Sequence, residues 1–446
     1  MGVIDFDKFH KDLSKVSSFK VKGRVTELVG LVARAVVPGV RMGELCYIET
    51  RADKENIKAE VVGFKGNEVL LMPLANLEGI APGSAVIPTG NSLTVKVGPH
   101  LLGRILNGLG DPLDEDVKGP LGGAPLGGAC ETEYPVYQEP PDPLKRRRVT
   151  EPISVGIKAI DAVCTCGEGQ RVGLFAAAGV GKSTLIGMIA RNTTADINVI
   201  GLIGERGREV RDFLENDLGA EGLARSVVIV STSDQPSLVR SKAAYVATAV
   251  AEYFRDQGKS VLLMMDSVTR FARALREIGL AVGEPPARQG FTPSVFSTLP
   301  RLLERSGNSD KGSITAFYTI LVAGDDMNEP VADETRSILD GHIVLSRELA
   351  NRAQYPAIDV SESISRVMSS IVTPEHLEAA RKLKEVVAAY EKERDLILIG
   401  AYESGSDPKV DYAIEKIEEV NNFLKQLVDE KIGFEEAVGQ LKGIFG

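Results

Sequence analysis

The sequence has little of what metal centres and disulfide frameworks require. Its 446 residues include four histidines and four cysteines, namely Cys46, Cys130, Cys164 and Cys166. The cysteines form no C-x-x-C pair and the histidines are scattered, so neither a disulfide framework nor a zinc site is indicated. We therefore expect reduced thiols and a cytoplasmic protein.

Long apolar runs and an excess of positive charge are also missing. No stretch is long enough to cross a bilayer, and the N-terminus lacks the pattern of a signal peptide. The formal net charge of -10 argues against a protein whose main task is to grip nucleic acid, because such binding neutralises phosphates with Lys and Arg. We interpret the basic run Lys145–Arg148 as a solvated linker, with contact to nucleic acid or acidic lipid as the alternative.

The first 20 residues carry an apolar stripe formed by Phe6, Phe9, Leu13 and Val16. This spacing predicts a short amphipathic helix over residues 1–20. The helix either packs on its own domain or is offered to a groove on a partner.

The rest of the chain divides into four segments. Short Val-, Ile- and Leu-rich runs over residues 21–95, separated by Gly and Pro, predict a β-barrel. Residues 96–150 are loop-rich and are predicted to connect the barrel to a central domain. Over residues 151–371, strand-like runs alternate with helical patterns, which predicts a parallel sheet flanked by helices. Residues 372–446 predict a helical C-terminal domain, so the fold class is multidomain α/β.

A glycine-rich segment follows the strand-like run RVGLF and precedes the helix-like run LIGMIA. The segment consists of Ala176, Ala177, Ala178, Gly179, Val180, Gly181, Lys182, Ser183 and Thr184. A loop between a strand and a helix is the context that a phosphate-binding loop requires. Its glycines let backbone N–H groups close around phosphate oxygens. Lys182 would reach the β- and γ-phosphates of ATP, and Ser183 would bind Mg²⁺.

One position departs from the usual pattern G-x-x-x-x-G-K-[ST], because Ala176 stands where the pattern has glycine. Alanine fits this position if its backbone φ stays below zero, as it can in a residue that leaves a strand. We therefore predict that the segment binds the phosphates of a nucleotide.

Two carboxylates come at the ends of later strand-like runs. Asp266 ends SVLLMMD, where it would hold Mg²⁺ directly or through water; the alternative is a cap for the next helix. Glu205 follows INVIGLI, where it could activate the attacking water. The alternative for Glu205 is an ion-pair network with Arg206, Arg208 and Glu209.

A tyrosine and an arginine in YPAIDVSESISRV are further candidates. The ring of Tyr355 could stack on adenine, and Arg366 could stabilise charge on the transferring phosphoryl group. Spacing alone places neither side chain at the site, so a core tyrosine and a surface arginine are the alternatives.

From about residue 21 to the C-terminus the chain resembles the ATPases of type III protein export, which are relatives of the catalytic subunit of the F-type ATP synthase. The blocks that carry the resemblance are GIKAIDAVCTCGEGQRVGLFAAAGVGKST, VIGLIGERGREVRDFLEN, YFRDQGKSVLLMMDSVTRFARALREIGLAVGEPP, PSVFSTLPRLLERSG, GSITAFYTILVAGDD, ILDGHIVLSRELA and YPAIDVSESISRVM.

The resemblance implies roles for single residues. Glu205 is expected to position the hydrolytic water, and Tyr355 is expected to stack on adenine. Arg366 is expected to reach the nucleotide of the neighbouring subunit in a six-membered ring. Ala177, where many members have glycine, is a mild departure.

The flagellar branch is favoured over the injectisome branch by RDLILIGAYESGSDPKVDYAI, FLKQLVDEKIGFEEAVGQLKGIF and ENDLGAEGLARSVVI. The resemblance implies a homohexamer, a regulatory or stator protein on the N-terminal helix, and a stalk-like coiled-coil protein in the pore. Export substrates, their chaperones and the membrane export gate are further implied partners. The implied location is cytoplasmic and peripheral at the inner membrane export apparatus, and no nucleic acid is expected as a partner.

Two other classes fit less well. A non-catalytic ring subunit of the rotary family would carry Gln in place of Glu205. An RNA-translocating hexamer needs base-stacking aromatic and basic residues in its N-terminal fold. Residues 21–95 contain only Tyr47 and Phe64 as aromatics.

Overall fold

The computed structural model describes residues 21–50, 56–115, 117, 121–122, 132–322, 324 and 326–446. The helix predicted over residues 1–20 lies outside this set. The described chain forms two compact units, one up to Leu93 together with Ala281–Gly283 and one from Thr94 on.

The strands are β1 Gly23–Val29, β2 Val32–Val36, β3 Glu44–Ile48, β4 Ile57–Lys65, β5 Glu68–Pro73, β6 Ala85–Ser92, β7 Thr94–Val97, β8 Ile105–Asn107, β9 Thr132–Pro135, β10 Arg171–Ala176, β11 Ile197–Glu205, β12 Ser226–Thr232, β13 Ser260–Asp266, β14 Gly307–Asn308, β15 Ser313–Leu321, β16 Gly341–Leu345 and β17 Ile358–Ser365. The α-helices are α1 Lys182–Asn192, α2 Gly207–Asp212, α3 Gly219–Ala224, α4 Ser237–Asp256, α5 Val268–Val282, α6 Pro293–Leu303, α7 Pro330–Ile338, α8 Arg347–Asn351, α9 Met368–Ile371, α10 Pro374–Leu398, α11 Pro408–Leu424 and α12 Phe434–Phe445.

The first unit contains a closed six-stranded β-barrel in the order β1-β2-β5-β4-β3-β6. Every neighbouring pair is antiparallel. Because side chains alternate along a strand, Val25 points inward while Arg24 and Thr26 are exposed. The barrel core is filled by small and branched side chains, among them Ala33, Ala35, Ile48, Ala59, Val61, Leu71 and Val86. The predicted barrel is thus confirmed.

The second unit is built on a nine-stranded sheet in the order β17-β16-β10-β15-β13-β11-β12-β8, with β14 paired to β15. All neighbours from β16 to β8 along this order are parallel. Strand β17 is antiparallel to β16, and β14 is antiparallel to β15. The five predicted strand-like runs are β10, β11, β12, β13 and β15, so the predicted parallel sheet is confirmed.

Residues 96–150, predicted as a connector, also contribute to the sheet. Strand β8 pairs with β12 at its edge. The basic run Lys145–Arg148 within this segment is exposed except for Arg146, whose guanidinium donates to the carbonyl oxygen of Ser306 at 2.8 Å. The neighbouring Arg147 donates to the carbonyl oxygen of Ser309 at 2.9 Å. Part of this run therefore anchors the connector instead of being a wholly solvated linker.

The C-terminal region is helical, as predicted. Helices α10 and α11 each begin with a capping residue followed by proline, and the Thr373 and Asp407 side chains accept backbone N–H groups there. The ring of His376 on α10 lies 2.7 Å from the carbonyl oxygen of Ala162, which attaches these helices to the sheet domain. Within the described residues, no helix is both long and apolar enough to span a bilayer.

Candidate active site

The site lies at one edge of the parallel sheet. Strands β10, β15, β13 and β11 are successive neighbours, and the carboxyl ends of parallel strands meet at the same edge. Ala176 ends β10, Asp266 ends β13 and Glu205 ends β11. The fold therefore brings together three of the segments that the sequence singled out.

The glycine-rich segment joins the end of β10 to the start of α1. Gly179 and Gly181 have φ of 83° and 86°, a region that glycine enters without steric cost. Among described non-glycine residues, only Gln289 and Ala353 have positive φ. Ala176 therefore meets the condition set by the sequence, and alanine fits there without backbone strain.

Lys182 is surrounded by the two strand-end carboxylates. Its Nζ contacts Oδ1 of Asp266 and lies 3.7 Å from Oε1 of Glu205. The same Asp266 oxygen accepts a hydrogen bond of 2.7 Å from the Thr319 hydroxyl on β15. At the start of α5, the hydroxyl of Ser267 accepts a backbone N–H, so this neighbour of Asp266 makes the cap.

Glu205 is turned into the site by a kink at the end of β11. Gly204 has φ of 69°, and the pairing with β12 shifts register at this point. Oε2 of Glu205 accepts a hydrogen bond of 3.0 Å from Arg270, which also donates to the carbonyl oxygen of Gly204. Arg206 pairs with Glu209 at 2.7 Å. The carboxylate of Glu205 thus faces Lys182 and Arg270, not the arginines next to it in sequence.

Burial raises the pKa of Glu205 to about 7, and the negative charge of Asp266 and an interaction with the Glu209 side chain add to this shift. The positive charges of Lys182 and Arg270 oppose it. A carboxylate with a pKa near neutral pH suits a general base, since it is both available and able to accept a proton. Arg270 is a site residue that was not predicted from the sequence, although it lies only four residues after Asp266.

This pKa gives a testable pH dependence. We expect kcat/KM for ATP to rise with pH through about 7, because only ionised Glu205 can act as a base and kcat/KM reports the free enzyme. Arg270→Gln should move this inflection to higher pH, since it removes a charge that lowers the pKa of Glu205. Arg273→Gln, at an exposed arginine on the same helix, is the control. A profile that is flat across neutral pH would contradict the assignment.

Tyr355 lies beside the phosphate-loop segment. The residue is 48% exposed, and Cε1 of its ring is 3.6 Å from where a Cβ on Gly181 would stand. The ring borders a cavity of about 110 Å³. Other lining residues are Val180, Gly181, Thr184, Leu185, Gln426 and Val428. The last two come from the C-terminal region, and no local pattern in the sequence marks them.

Arg366 lies at the edge formed by the amino ends of the parallel strands, opposite the edge that holds the phosphate-loop segment. Leu345, at one end of β16, pairs with both Ala176 and Ile358. Gly341, at the other end, pairs with Ser365, which directly precedes Arg366. The two ends are four residue steps apart along β16, a distance of roughly 13 Å. Arg366 is exposed, and its guanidinium donates to the carbonyl oxygen of Arg336 at 3.3 Å.

The donor atoms at the site fit Mg²⁺. Ser183 is exposed in the first turn of α1, next to Lys182, and with Asp266 it offers hard oxygen ligands. Oε1 of Glu205 is buried and accepts no hydrogen bond. In the described parts of the chain, no group of three or more His, Cys, Asp or Glu side chains is placed to hold a metal. Such a site leaves most coordination positions to phosphate and water, as Mg²⁺ prefers.

A glycine-rich loop between a strand and a helix, with carboxylates at the ends of neighbouring parallel strands, defines a phosphate-loop nucleoside triphosphatase. The sequence matches the nucleotide-binding domain of the ATP synthase alpha/beta family over residues 156–365 and the β-barrel domain of that family over residues 25–90. Residues 372–443 match the C-terminal domain of the type III secretion ATPase EscN.

Similar proteins narrow the family further. The flagellum-specific ATP synthase of Bacillus subtilis is 54% identical over 97% of both chains. The type 3 secretion system ATPase of Xanthomonas euvesicatoria is 51% identical over 97% of this chain and 96% of its own. The assembled ATPase EscN of enteropathogenic E. coli has a TM-score of 0.88 at 46% identity, covering 95% of this chain and all of that one. The chain belongs to the family of type III secretion and flagellum-specific ATPases, and it is an ATP-hydrolysing enzyme.

Proposed function

We propose that this chain is a Mg²⁺-dependent ATPase that energises type III export of flagellar proteins across the cytoplasmic membrane as a homohexameric ring. The position of Arg366 is the observation that supports a ring. Because roughly 13 Å of strand separates Arg366 from the sheet edge that holds Lys182, we infer that Arg366 acts on the nucleotide of a neighbouring chain. A ring with head-to-tail contacts would bring Arg366 of one chain to the loop of the next.

The chemistry follows from the positions of the charges. The loop from Ala176 to Thr184 binds the phosphates, and Lys182 contacts the β- and γ-phosphates. Ser183 and Asp266 would hold Mg²⁺, which neutralises charge that develops on the phosphates. Glu205 accepts the proton of the attacking water. Hydrolysis then relies on positioning and on electrostatic stabilisation without a covalent intermediate.

The second candidate is the virulence injectisome ATPase. It is supported by the 51% identity to the Xanthomonas secretion ATPase, against 54% to the Bacillus flagellar one. Complementation separates the two: the gene should restore motility to a bacterium that lacks its flagellar export ATPase. Restored injectisome secretion without motility would favour the second candidate.

The remaining partners extend the proposal. EscN has been solved in complex with its central stalk EscO, at a TM-score of 0.86 to this chain, which supports a stalk-like partner in the pore here. The helix predicted over residues 1–20 would bind a regulatory or stator protein, and the C-terminal helices would contact substrates with their chaperones. Docking on the export gate would make the protein peripheral on the cytoplasmic side of the inner membrane.

The first test is ATPase activity against protein concentration, with the size of the particles measured at each concentration. We expect specific activity to rise as the particles grow from monomer to hexamer, because each site needs two chains. Nucleotide binding should already occur in the monomer, since the phosphate-loop segment lies within one chain. A monomer that hydrolyses ATP at the full rate would refute the shared site.

A further inference from the structure

The loop between α11 and α12, residues 425–433, forms one wall of the cavity beside Tyr355. We call it the C-terminal loop. Gln426 and Val428 of this loop line the cavity together with Gly181 and Thr184 of the phosphate-loop segment. A loop that is remote in sequence from the catalytic residues therefore helps to shape the space next to Tyr355.

Gln426 is the buried attachment of this loop, with only 5% of its surface exposed. Its backbone N–H donates to the carbonyl oxygen of Tyr355 at 3.0 Å. Its side-chain Oε1 accepts from the backbone N–H of Lys158 at 2.9 Å. Its Nε2 donates to the carbonyl oxygens of Gly156 at 2.8 Å and Glu430 at 3.0 Å.

These four hydrogen bonds join three parts of the molecule: the residues before β10, the segment of Tyr355, and the C-terminal loop itself. Both side-chain amide hydrogens are given to protein carbonyl oxygens. The amide therefore has no donor left for a ligand in the cavity, so Gln426 does not donate a hydrogen bond to the base of a nucleotide. Its contribution is to hold the wall and the backbone of Tyr355 in place.

The other polar contacts of the C-terminal loop are more exposed, apart from one between Glu430 and the buried side chain of Lys158, whose Nζ lies 3.5 Å from Oε1 of Glu430. Lys431 pairs with Glu221 at 3.0 Å, and both side chains are more than half exposed. Arg191 donates to the carbonyl oxygen of Val428 at 2.9 Å in an exposed setting. Surface pairs of this kind contribute little, because water competes for them. Buried hydrogen bonds cost more to break, since a donor or acceptor is left without a partner.

We propose that Gln426 is a positioning residue for nucleotide binding: it fixes the C-terminal loop and Tyr355 as one unit that binds the base. The inference rests on the proposed role of Tyr355 as the residue that stacks on the base.

The test is Gln426→Met in the full-length chain, which keeps the length of the side chain, removes its three side-chain hydrogen bonds and leaves the backbone bond to Tyr355. The KM for ATP and the inhibition constant of magnesium tripolyphosphate, which has no base, are measured on the same preparation. We expect the KM to rise about tenfold, because a loosened wall weakens the contact with the base, with the tripolyphosphate constant unchanged. Neither constant depends on the concentration of active enzyme, so a fraction of inactive protein in the preparation does not change their ratio.

Three further variants sharpen the result. Gln440→Met removes an exposed amide from α12 and should change neither constant. Gln426→Glu keeps the acceptor for Lys158 but sets a carboxylate oxygen against the Gly156 and Glu430 carbonyls, so it should give the same selective rise in KM. In a Tyr355→Leu background, Gln426→Met should add little, because the two residues act through one contact.

Three outcomes would overturn the inference. They are an unchanged KM for ATP, an equal weakening of ATP and tripolyphosphate, and additive effects of the two substitutions. Failure of the proposed function looks different, since it would appear as an absence of ATP hydrolysis in the parent protein.

Discussion

Glu205→Gln is expected to lower kcat for ATP hydrolysis by about 10²–10⁴-fold, the usual contribution of a general base. Glutamine has the size of glutamate but cannot accept a proton from water. The ion pair of Glu205 with Arg270 at 3.0 Å and its contact with Lys182 at 3.7 Å would be lost, while the shape of the site is kept. Nucleotide binding should change little, because the loop that holds the phosphates is untouched.

The control for this prediction is Glu215→Gln, which removes a carboxylate from an exposed pair with Arg211. It should leave kcat within about twofold of the parent, as surface substitutions usually do. Steady-state hydrolysis gives kcat, and titration with a fluorescent ATP analogue gives binding. If Glu205→Gln hydrolysed ATP as fast as the parent, the role of Glu205 as base would be wrong and only the nucleotide-binding assignment would survive.

Much of the fold follows from local pattern. The strand-like runs that became β10, β11, β13 and β15 are continuous apolar stretches, which is how strands buried on both faces read. Strand β8 was not predicted, because three residues surrounded by glycines and prolines are too few to show an alternation of apolar and polar side chains. Its pairing with β12 is set by tertiary structure alone.

Site residues could be predicted from the sequence where they lie at or next to the ends of strands. Lys182, Asp266 and Glu205 meet because parallel strands share one edge, a rule that needs no side-chain detail. Arg270 and Gln426 act through hydrogen bonds between segments far apart in sequence, and no spacing rule predicts such contacts. Tyr355 lies shortly before the start of β17, and Arg366 follows its last residue. Only the pairing register with β16 shows that these two residues lie at opposite edges of the sheet.

Arg366→Ala is the second prediction with a large effect. We expect kcat to fall by about 10³–10⁵-fold, the usual contribution of an arginine that acts on the transferring phosphoryl group. Binding of ATP to the monomer should be unchanged, because Arg366 lies roughly 13 Å of strand away from the loop of its own chain. Arg381→Ala removes an exposed arginine that pairs with Glu378 and is the control. Full activity of Arg366→Ala would contradict the proposed role.

The shared site makes a sharper prediction for mixtures. Arg366→Ala keeps a functional Glu205, and Glu205→Gln keeps a functional Arg366. In a ring with head-to-tail interfaces, random mixing of equal amounts should restore about a quarter of the sites, those where a chain with intact Glu205 meets a neighbour with intact Arg366. If Arg366 served the site of its own chain, every site would still lack one group. Activity measured after the two inactive proteins are mixed and allowed to assemble therefore separates action between chains from action within one.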